Sequence, residues 1–379
     1  MCDVPALRFP EFTGEWERHK LSEVCSFYSG GTPSSSKKEY YNGNIPFIRS
    51  GELHKDYTEL FITEAGLSNS AAKLVETGDL LLALYGATSG DIAISKIKGA
   101  INQAILCIRT KQNKKFIESV WNKHVERLLQ TYLQGGQGNL SADIVKNIPF
   151  YFANSNEQDK LAKFISLLDE RIATQNKIIE DLKKLKSAIA DKLYSSTKGE
   201  TYSFRQLFDV INERNKKLTY SNVLSASQEL GMIERSDINK DIKFEQDSIS
   251  GYKIVRNGDY VVHLRSFQGG FAFSDRTGIC SPAYTILHPN DLVAYGYLSH
   301  FFISKPFIKS LKLVTYGIRD GRSINVDEWL DMTVTLPTKR EQSHILAIIN
   351  AIDNKLHNEN QIHNYMFRQR TYLLKTMFI

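Results

Sequence analysis

Gly78-Asp79-Leu80-Leu81-Leu82-Ala83-Leu84-Tyr85 is a Gly-Asp turn followed by an unbroken apolar run. The pattern returns 180 residues later as Gly258-Asp259-Tyr260-Val261-Val262-His263-Leu264-Arg265. A short apolar run opened by turn residues reads as an apolar strand. In both copies the strand leads into a glycine-bearing loop, Gly86-Ala87-Thr88-Ser89-Gly90 or Ser266-Phe267-Gln268-Gly269-Gly270. Two further matches keep the same order. Asn156-Glu157-Gln158 reappears as Arg340-Glu341-Gln342, with Asp169 matching Asp353 at an offset of 184, and Leu21-Ser22-Glu23-Val24 matches Leu207-Phe208-Asp209-Val210 at an offset of 186. Three collinear matches predict a tandem duplication of a unit of roughly 180 residues, too long and in too few copies for a solenoid.

Each unit divides in two. The first part mixes short apolar strands with Gly, Pro, Asn and Ser turns, and holds one amphipathic helix in which Phe116, Val120, His124, Leu128 and Tyr132 recur at spacing four. Its counterpart near Leu292 to Phe302 is interrupted at Pro306. The second part is a long helix. Neither Glu157 to Tyr194 nor Glu341 to Phe378 contains Gly or Pro, and apolar residues step by three and four along both, through Ile165, Leu168, Ile172, Ile179 and Leu182 and through Ile345, Ile349, Ile352 and Leu356. That alternation is the seam of a coiled coil, with Gln175, Glu359 and Arg370 as polar register positions. Asn154-Ser155-Asn156 and Thr338 supply the caps. The sequence therefore predicts an α/β protein of the α+β type. Globular domains at 1–155 and 199–339 are each followed by a long helix, 156–198 and 340–379, and the helices pack as an antiparallel coiled coil.

The chain has 379 residues, 42% hydrophobic and 24% charged, enough to bury a sizeable core. No apolar run approaches the roughly 20 residues of a membrane span. Met1 to Pro5 lacks the basic and apolar regions of a secretory signal, so a cytoplasmic location in a bacterium or archaeon is expected. Cys2, Cys25, Cys107 and Cys280 are scattered and suit a reducing compartment. The net charge of +6 is compatible with a nucleic-acid partner without requiring one.

The chemistry of catalysis is missing from the pattern. There is no GxGxxG, GxxxxGK[ST], HExxH, CxxC or GxSxG, and no two prolines are adjacent, so the Asn-Pro-Pro-aromatic loop of amino-methyltransferases is lacking. His357 and His363 stand six apart, off metal-ligand spacing. A non-enzyme without cofactor or metal is expected. Several loops instead have the composition of nucleic-acid contacts. Gly30 to Lys38 is small and ends basic, and the loop Gly135-Gly136-Gln137-Gly138-Asn139 pairs by repeat with Gly317-Ile318-Arg319-Asp320-Gly321-Arg322. Gln and Asn suit adenine and Arg suits guanine in the major groove, whereas Lys37, Lys38, Lys216 and Lys217 suit phosphates. The DNA-contacting candidates are Thr32, Ser34, Lys37, Lys38, Tyr40, Arg49, Tyr85, Thr88, Gln103, Gln137 and Asn139 in the first half. In the second they are Lys216, Lys217, Arg265, Gln268, Arg319, Arg322 and Asn325. Any one of them would also serve as an ordinary surface residue. What stands out is a retained frame with changed polar side chains, Tyr85 against Arg265 and Gln137 against Arg319.

The layout resembles the DNA-specificity subunit of type I restriction–modification systems over essentially the whole chain. The residues that carry the resemblance are Gly30-Gly31-Thr32-Pro33, Ile45-Pro46-Phe47-Ile48-Arg49, Gly78-Asp79, Ile101-Asn102-Gln103-Ala104 and the opening Val4-Pro5-Ala6-Leu7-Arg8-Phe9-Pro10. To these are added the Pro-then-Glu-Gln approaches to both helices, Pro149 to Gln158 and Pro337, Glu341, Gln342. The second half departs from the pattern with Asn212-Glu213-Arg214-Asn215 and Ser281-Pro282-Ala283. The resemblance implies two target recognition domains, each reading half of a bipartite site in double-stranded DNA. It implies helices that fix the spacer and dock two methyltransferase subunits, which bind S-adenosylmethionine and methylate adenine. A restriction and translocation subunit that uses ATP and Mg would complete the complex, and none of those cofactors is expected on this chain. The alternatives are a coiled-coil scaffold that binds proteins only and a self-contained restriction or methylation enzyme.

Overall fold

The computed structural model describes residues 3–132, 139–227, 230–238, 246–263, 270–316 and 323–379. The chain forms two compact units, Met1–Asn176 with Gln361–Ile379, and Lys177–Asn360.

In the first unit, strands Cys25–Ser29, Ile105–Thr110, Leu80–Ala83 and Ile92–Ile94 lie side by side in that order as an antiparallel sheet. Leu80 through Leu84 are each at most 1% exposed. Leu80 and Leu82 join the core built by Phe116, Val120 and Trp121 of helix Lys114–Tyr132, while Leu81 and Ala83 join Ile48, Val75 and Ile101 on the opposite face. Burial on both faces is why the run is unbroken rather than alternating, and each fully buried leucine contributes about 1.5–3 kcal/mol. A second sheet, Phe61–Ile62, Tyr41–Ile48, Gly99–Ile101 and Lys73–Val75, contains a parallel pairing of Phe47 with Ala100. A ribbon of Glu17–Lys20 with Pro149–Phe152 closes the unit.

The second unit repeats the frame. Strands Phe208–Ile211, Thr285–Pro289, Tyr260–Val262 and Phe271–Phe273 follow the same order, and ribbon Glu200–Ser203 pairs with Thr333–Leu336. Tyr260 and Val262 face one core and Val261 the other. The Gly-Asp turn is reproduced bond for bond. Gly78 and Gly258 are left-handed at φ 89° and 97°, and the Asp79 and Asp259 carboxylates accept the amides of Glu76 and Arg256 at 3.0 and 2.7 Å. The turn glycines are needed because an L side chain disfavours that conformation.

The ribbons also correct one sequence match. Leu21 starts a helical turn directly after the first ribbon strand, and its amide bonds the Ile148 carbonyl. Phe204 does the same in the second unit with Met332. The equivalent of Leu21 is therefore Phe204, 183 residues on, rather than Leu207. Both turns bury an apolar residue at their start, and a pattern match on four mixed residues slipped along the following strand. The expected interruption near Pro306 is present as two short helices, Tyr297–Phe301 and Lys305–Ser310, with Pro306 in the first turn of the second.

The two long helices are Ser155–Ser195 and Lys339–Met377, each about 60 Å at 1.5 Å per residue. In the first unit Leu161 and Ile165 share a core with Leu374, Met377 and Phe378, and further on Asp169 pairs with Arg370. In the second, Lys186 Nζ lies 2.5 Å from Asp353 Oδ1, and Ala190 shares a core with Ile345 and Ile349. Within each unit one helix therefore advances as the other recedes, which is antiparallel packing. Gln158 and Gln342 play one role at the two helix starts. Each amide group donates to the carbonyl five residues back, of Ala153 or Pro337, and each carbonyl accepts a loop amide, of Asn113 or Ala294. This is the physical content of the Glu-Gln motif.

Candidate nucleic-acid interface

Four of the sequence candidates in the first unit meet at one edge of the main sheet. The Gly30 amide donates to the Asn102 carbonyl at 3.2 Å, Leu84 to Ala104 at 2.8 Å and Leu140 to Leu84 at 3.0 Å. These backbone bonds bring the exposed Thr32, Tyr85, Gln103 and Asn139 onto neighbouring strand exits, where Thr32 Oγ1 donates to Gln103 Oε1 at 2.8 Å. The two glycines make the approach possible. A Cβ on Gly30 would lie 1.7 Å from the Ile101 carbonyl oxygen, and one on Gly31 2.6 Å from Ala71 Cβ.

The neighbouring loop is ordered by its own contacts. Ser34 Oγ bonds Ser36 Oγ, Tyr41 Oη donates to the Pro33 carbonyl, and Lys37 Nζ donates to Tyr40 Oη at 2.9 Å while standing 5.0 Å over that ring. Tyr40 is buried, whereas Ser34, Lys37 and Lys38 face solvent. Arg49 is committed to Glu52 and Glu59 at 2.7 and 2.9 Å. Although burial raises it, the Glu52 carboxyl is held down to about 2 by Arg49 and Thr58. Thr88 is half-buried in the turn Gly86–Thr88.

In the second unit Lys216 and Lys217 are exposed on the turn that Leu218 closes by donating to the Asn215 carbonyl, with buried Asn215 bonded both ways to Tyr220. Asn325 caps the helix Val326–Leu330 by accepting the Glu328 amide. Gln137, Arg265, Gln268, Arg319 and Arg322 lie outside the described residues. The departure from Asn-Gln-Ala to Ser-Pro-Ala has a structural explanation. Asn102 Oδ1 accepts the Ala104 amide at 3.0 Å, and Ser281 Oγ accepts the Ala283 amide at 3.3 Å, so both side chains close the same turn. The position between them, Gln103 or Pro282, is left free to differ. Asp79 is held by Arg109 at 2.9 Å and Asp259 by His288 at 2.6 Å from equivalent strand positions. Burial raises the Asp79 carboxyl, but Arg109 outweighs it and keeps it below the ordinary aspartate value.

Sequence reasoning missed a basic groove in the first unit. A cavity of about 740 Å³ runs between helix Lys114–Tyr132 and the ribbon, lined by Arg18, Lys123, His124, Arg127, Thr131, Tyr132 and Tyr151 over an apolar floor of Leu128, Ile148, Pro149 and Phe150. Lys123 donates to the Phe378 carbonyl and His124 Nε2 lies 2.8 Å from that of Ile379. Burial, helped by Arg127, lowers the Lys123 ammonium from its ordinary value, and burial lowers His124. Lys123, Arg127 and Thr131 at four-residue spacing were a legible signal; Arg18, over a hundred residues away, was not.

The family of type I restriction modification DNA specificity domains matches residues 13–184. Among curated relatives, the chain is 23% identical over 387 residues to the type I restriction enzyme MjaVIII specificity subunit of Methanocaldococcus jannaschii, covering 93% of this chain and 88% of the relative. It is 27% identical over 215 residues to the EcoR124I/EcoR124II specificity subunit of Escherichia coli, about half of each chain. Two solved structures share the fold. One is a type I restriction–modification S subunit from M. genitalium, at 15% identity with a TM-score of 0.57 over 99% of both chains. The other is a chain from a study of type I R-M complex assembly and conformational transition, at 14% identity with a TM-score of 0.61 over 96% of this chain and 97% of that one.

Proposed function

This chain belongs to the specificity subunits of type I restriction–modification systems, and on that premise we propose that each of its two units reads one half of a bipartite DNA site. The observation that supports this most is the contrast between frame and edge. The Gly-Asp hairpin, the ribbon and the Asn102 or Ser281 turn are the same in both units, yet the exposed residue that the turn presents differs, Gln103 against Pro282. A frame that holds loops rigidly while their polar residues vary is what two readers of different sequences require.

The long helices would then set the spacer and dock two methyltransferase subunits. Leu167, Tyr365, Phe367 and Tyr372 leave apolar surface exposed on the first unit's helix pair, which supports a docking role. Adenine methylation with S-adenosylmethionine, and ATP- and Mg-dependent cleavage, would reside on the modification and restriction subunits, with this chain supplying recognition alone. No helix among the described residues is long and apolar enough to cross a membrane, and a cytoplasmic location fits DNA as the substrate. The scaffold alternative is not favoured, because the relatives are DNA-specificity subunits. The test is to replace Thr32 and Gln103 together by Ala in a methylating complex. Discrimination should relax in one half of the modified motif, by about 1–3 kcal/mol per base read. Equal loss in both halves would contradict two independent readers.

A further inference from the structure

We infer that the groove between helix Lys114–Tyr132 and the Glu17–Lys20 ribbon strand seats a backbone phosphate segment of the bound DNA, with Arg18 and Arg127 as its contacts. This rests on the DNA-reading function proposed above and adds a site outside the sequence candidates. Three basic side chains, Arg18, Lys123 and Arg127, line the groove without an Asp or Glu side chain among its walls, and Ile379, also in the lining, turns its oxygen to His124. Among the described residues none of the three has a carboxylate within ion-pair distance, whereas Lys115, Arg49, Arg109 and Arg205 elsewhere each hold one. Lys123 gives one of its donors to the Phe378 carbonyl, and burial, helped by Arg127, lowers its ammonium from the ordinary value. Arg18 and Arg127 are exposed and Lys123 is half-buried, so the groove presents uncompensated positive charge to an incoming anion, and Tyr132 and Tyr151 add hydroxyl groups suited to phosphate oxygens.

The charge of the groove favours DNA, since three cations with no Asp or Glu among the lining side chains suit a polyanion. The same helix carries the reader edge on its other side, where Trp121 Nε1 donates to the Gly90 carbonyl at 2.8 Å and Gly90 packs on Val125 and Leu129. The Tyr85–Gly90 loop thus rests on the helix whose far face bears Lys123 and Arg127, and Leu140 ties the return of the chain to Leu84. One helix thus holds both the reader loop and the groove, and phosphate contacts made by a reading domain set its register on the duplex without carrying sequence.

The test is the Arg18→Gln/Arg127→Gln double variant of the full chain, measured by anisotropy against a labelled DNA duplex of arbitrary sequence and one carrying the modified motif. Among the described residues neither side chain makes an ion pair, so thermal unfolding should match wild type. Loss of two phosphate contacts should flatten the plot of log affinity against log salt by about 1.8. Between 50 and 200 mM salt the variant would then lose about twelvefold less affinity than wild type. Both duplexes should weaken alike, with the methylated motif unchanged. An unchanged slope, or a change in motif, would overturn the assignment. So would normal DNA affinity with impaired capture of the modification subunit, which would mark the groove as a protein-docking site. If wild type itself shows no salt-dependent DNA binding, the DNA-reading function fails first and the groove assignment falls with it.

Discussion

Arg8 lies against the start of the central helix, and its guanidinium grips Glu157 with two bonds of 2.7 Å. The Glu157 side chain is 1% exposed and that of Arg8 13%, and Trp16 Nε1 adds a third bond to the carboxylate at 3.3 Å. Arg8→Ala strands a buried carboxylate with one neutral donor. Breaking a buried pair from one side costs about 3–5 kcal/mol, and the remaining Trp16 bond puts this site near the lower figure, about 3 kcal/mol. For a unit of this size that is a fall in Tm of roughly 6–12 °C. Arg8→Leu with Glu157→Gln removes both charges and keeps an acceptor for Trp16, so the double variant should recover at least half of the loss. Urea and thermal unfolding of wild type, Arg8→Leu, Glu157→Gln and the double variant close the cycle, with Arg8→Ala measured beside them. An Arg8→Ala variant within about 0.5 kcal/mol of wild type, or a double variant as weak as the sum of the singles, would refute the reasoning.

Gly30→Ala forces a methyl group into the Ile101 carbonyl, so it should destabilise the first unit by about 2 kcal/mol or more, while Gly51→Ala, which meets nothing within 4 Å, should stay within about 0.5 kcal/mol; chemical denaturation compares them. Burial raises the Asp169 carboxyl, but Arg370 and Lys115 outweigh it and hold it below its ordinary value. A depressed carboxyl adds stability above its unfolded value, roughly 3.9, that is lost as pH falls through the folded value, so Asp169→Asn should be less stable at neutral pH and lose less on acidification. Denaturant midpoints across that acid range read the difference. Tyr365→Ser with Phe367→Ser removes exposed aromatic surface, so co-purification of the modification subunit should drop while Tm stays near wild type.

The main strand and the long helices were legible because burial leaves a plain mark on sequence. Leu80–Leu84 is apolar throughout since both faces are covered, and the three–four alternation records helix pairing. Sheet neighbours were not legible. The parallel pairing of Phe47 with Ala100 and the ribbon of Glu17–Lys20 with Pro149–Phe152 join residues far apart in sequence, and no local pattern specifies them. Roles that change residue type between copies were hidden too. Asp79 keeps Arg109 where Asp259 has His288, and the Asn102 turn is closed by Ser281 in the other half. Loop composition, the repeat and the family-like motifs point to Thr32, Tyr85, Gln103 and Asn139 without relating them to one another, and only the backbone bonds at Gly30, Leu84 and Leu140 bring them to one edge. The basic groove escaped because Arg18 sits on a strand and its partners on a helix.

The most direct test of the account is to co-express this chain with the modification subunit of its own system and map N6-methyladenine across the host genome. Two half-motifs separated by a fixed unspecified spacer, methylated only when both chains are present, are the predicted result. Methylation of the same sites without this chain, or a stable complex that methylates nothing, would contradict it.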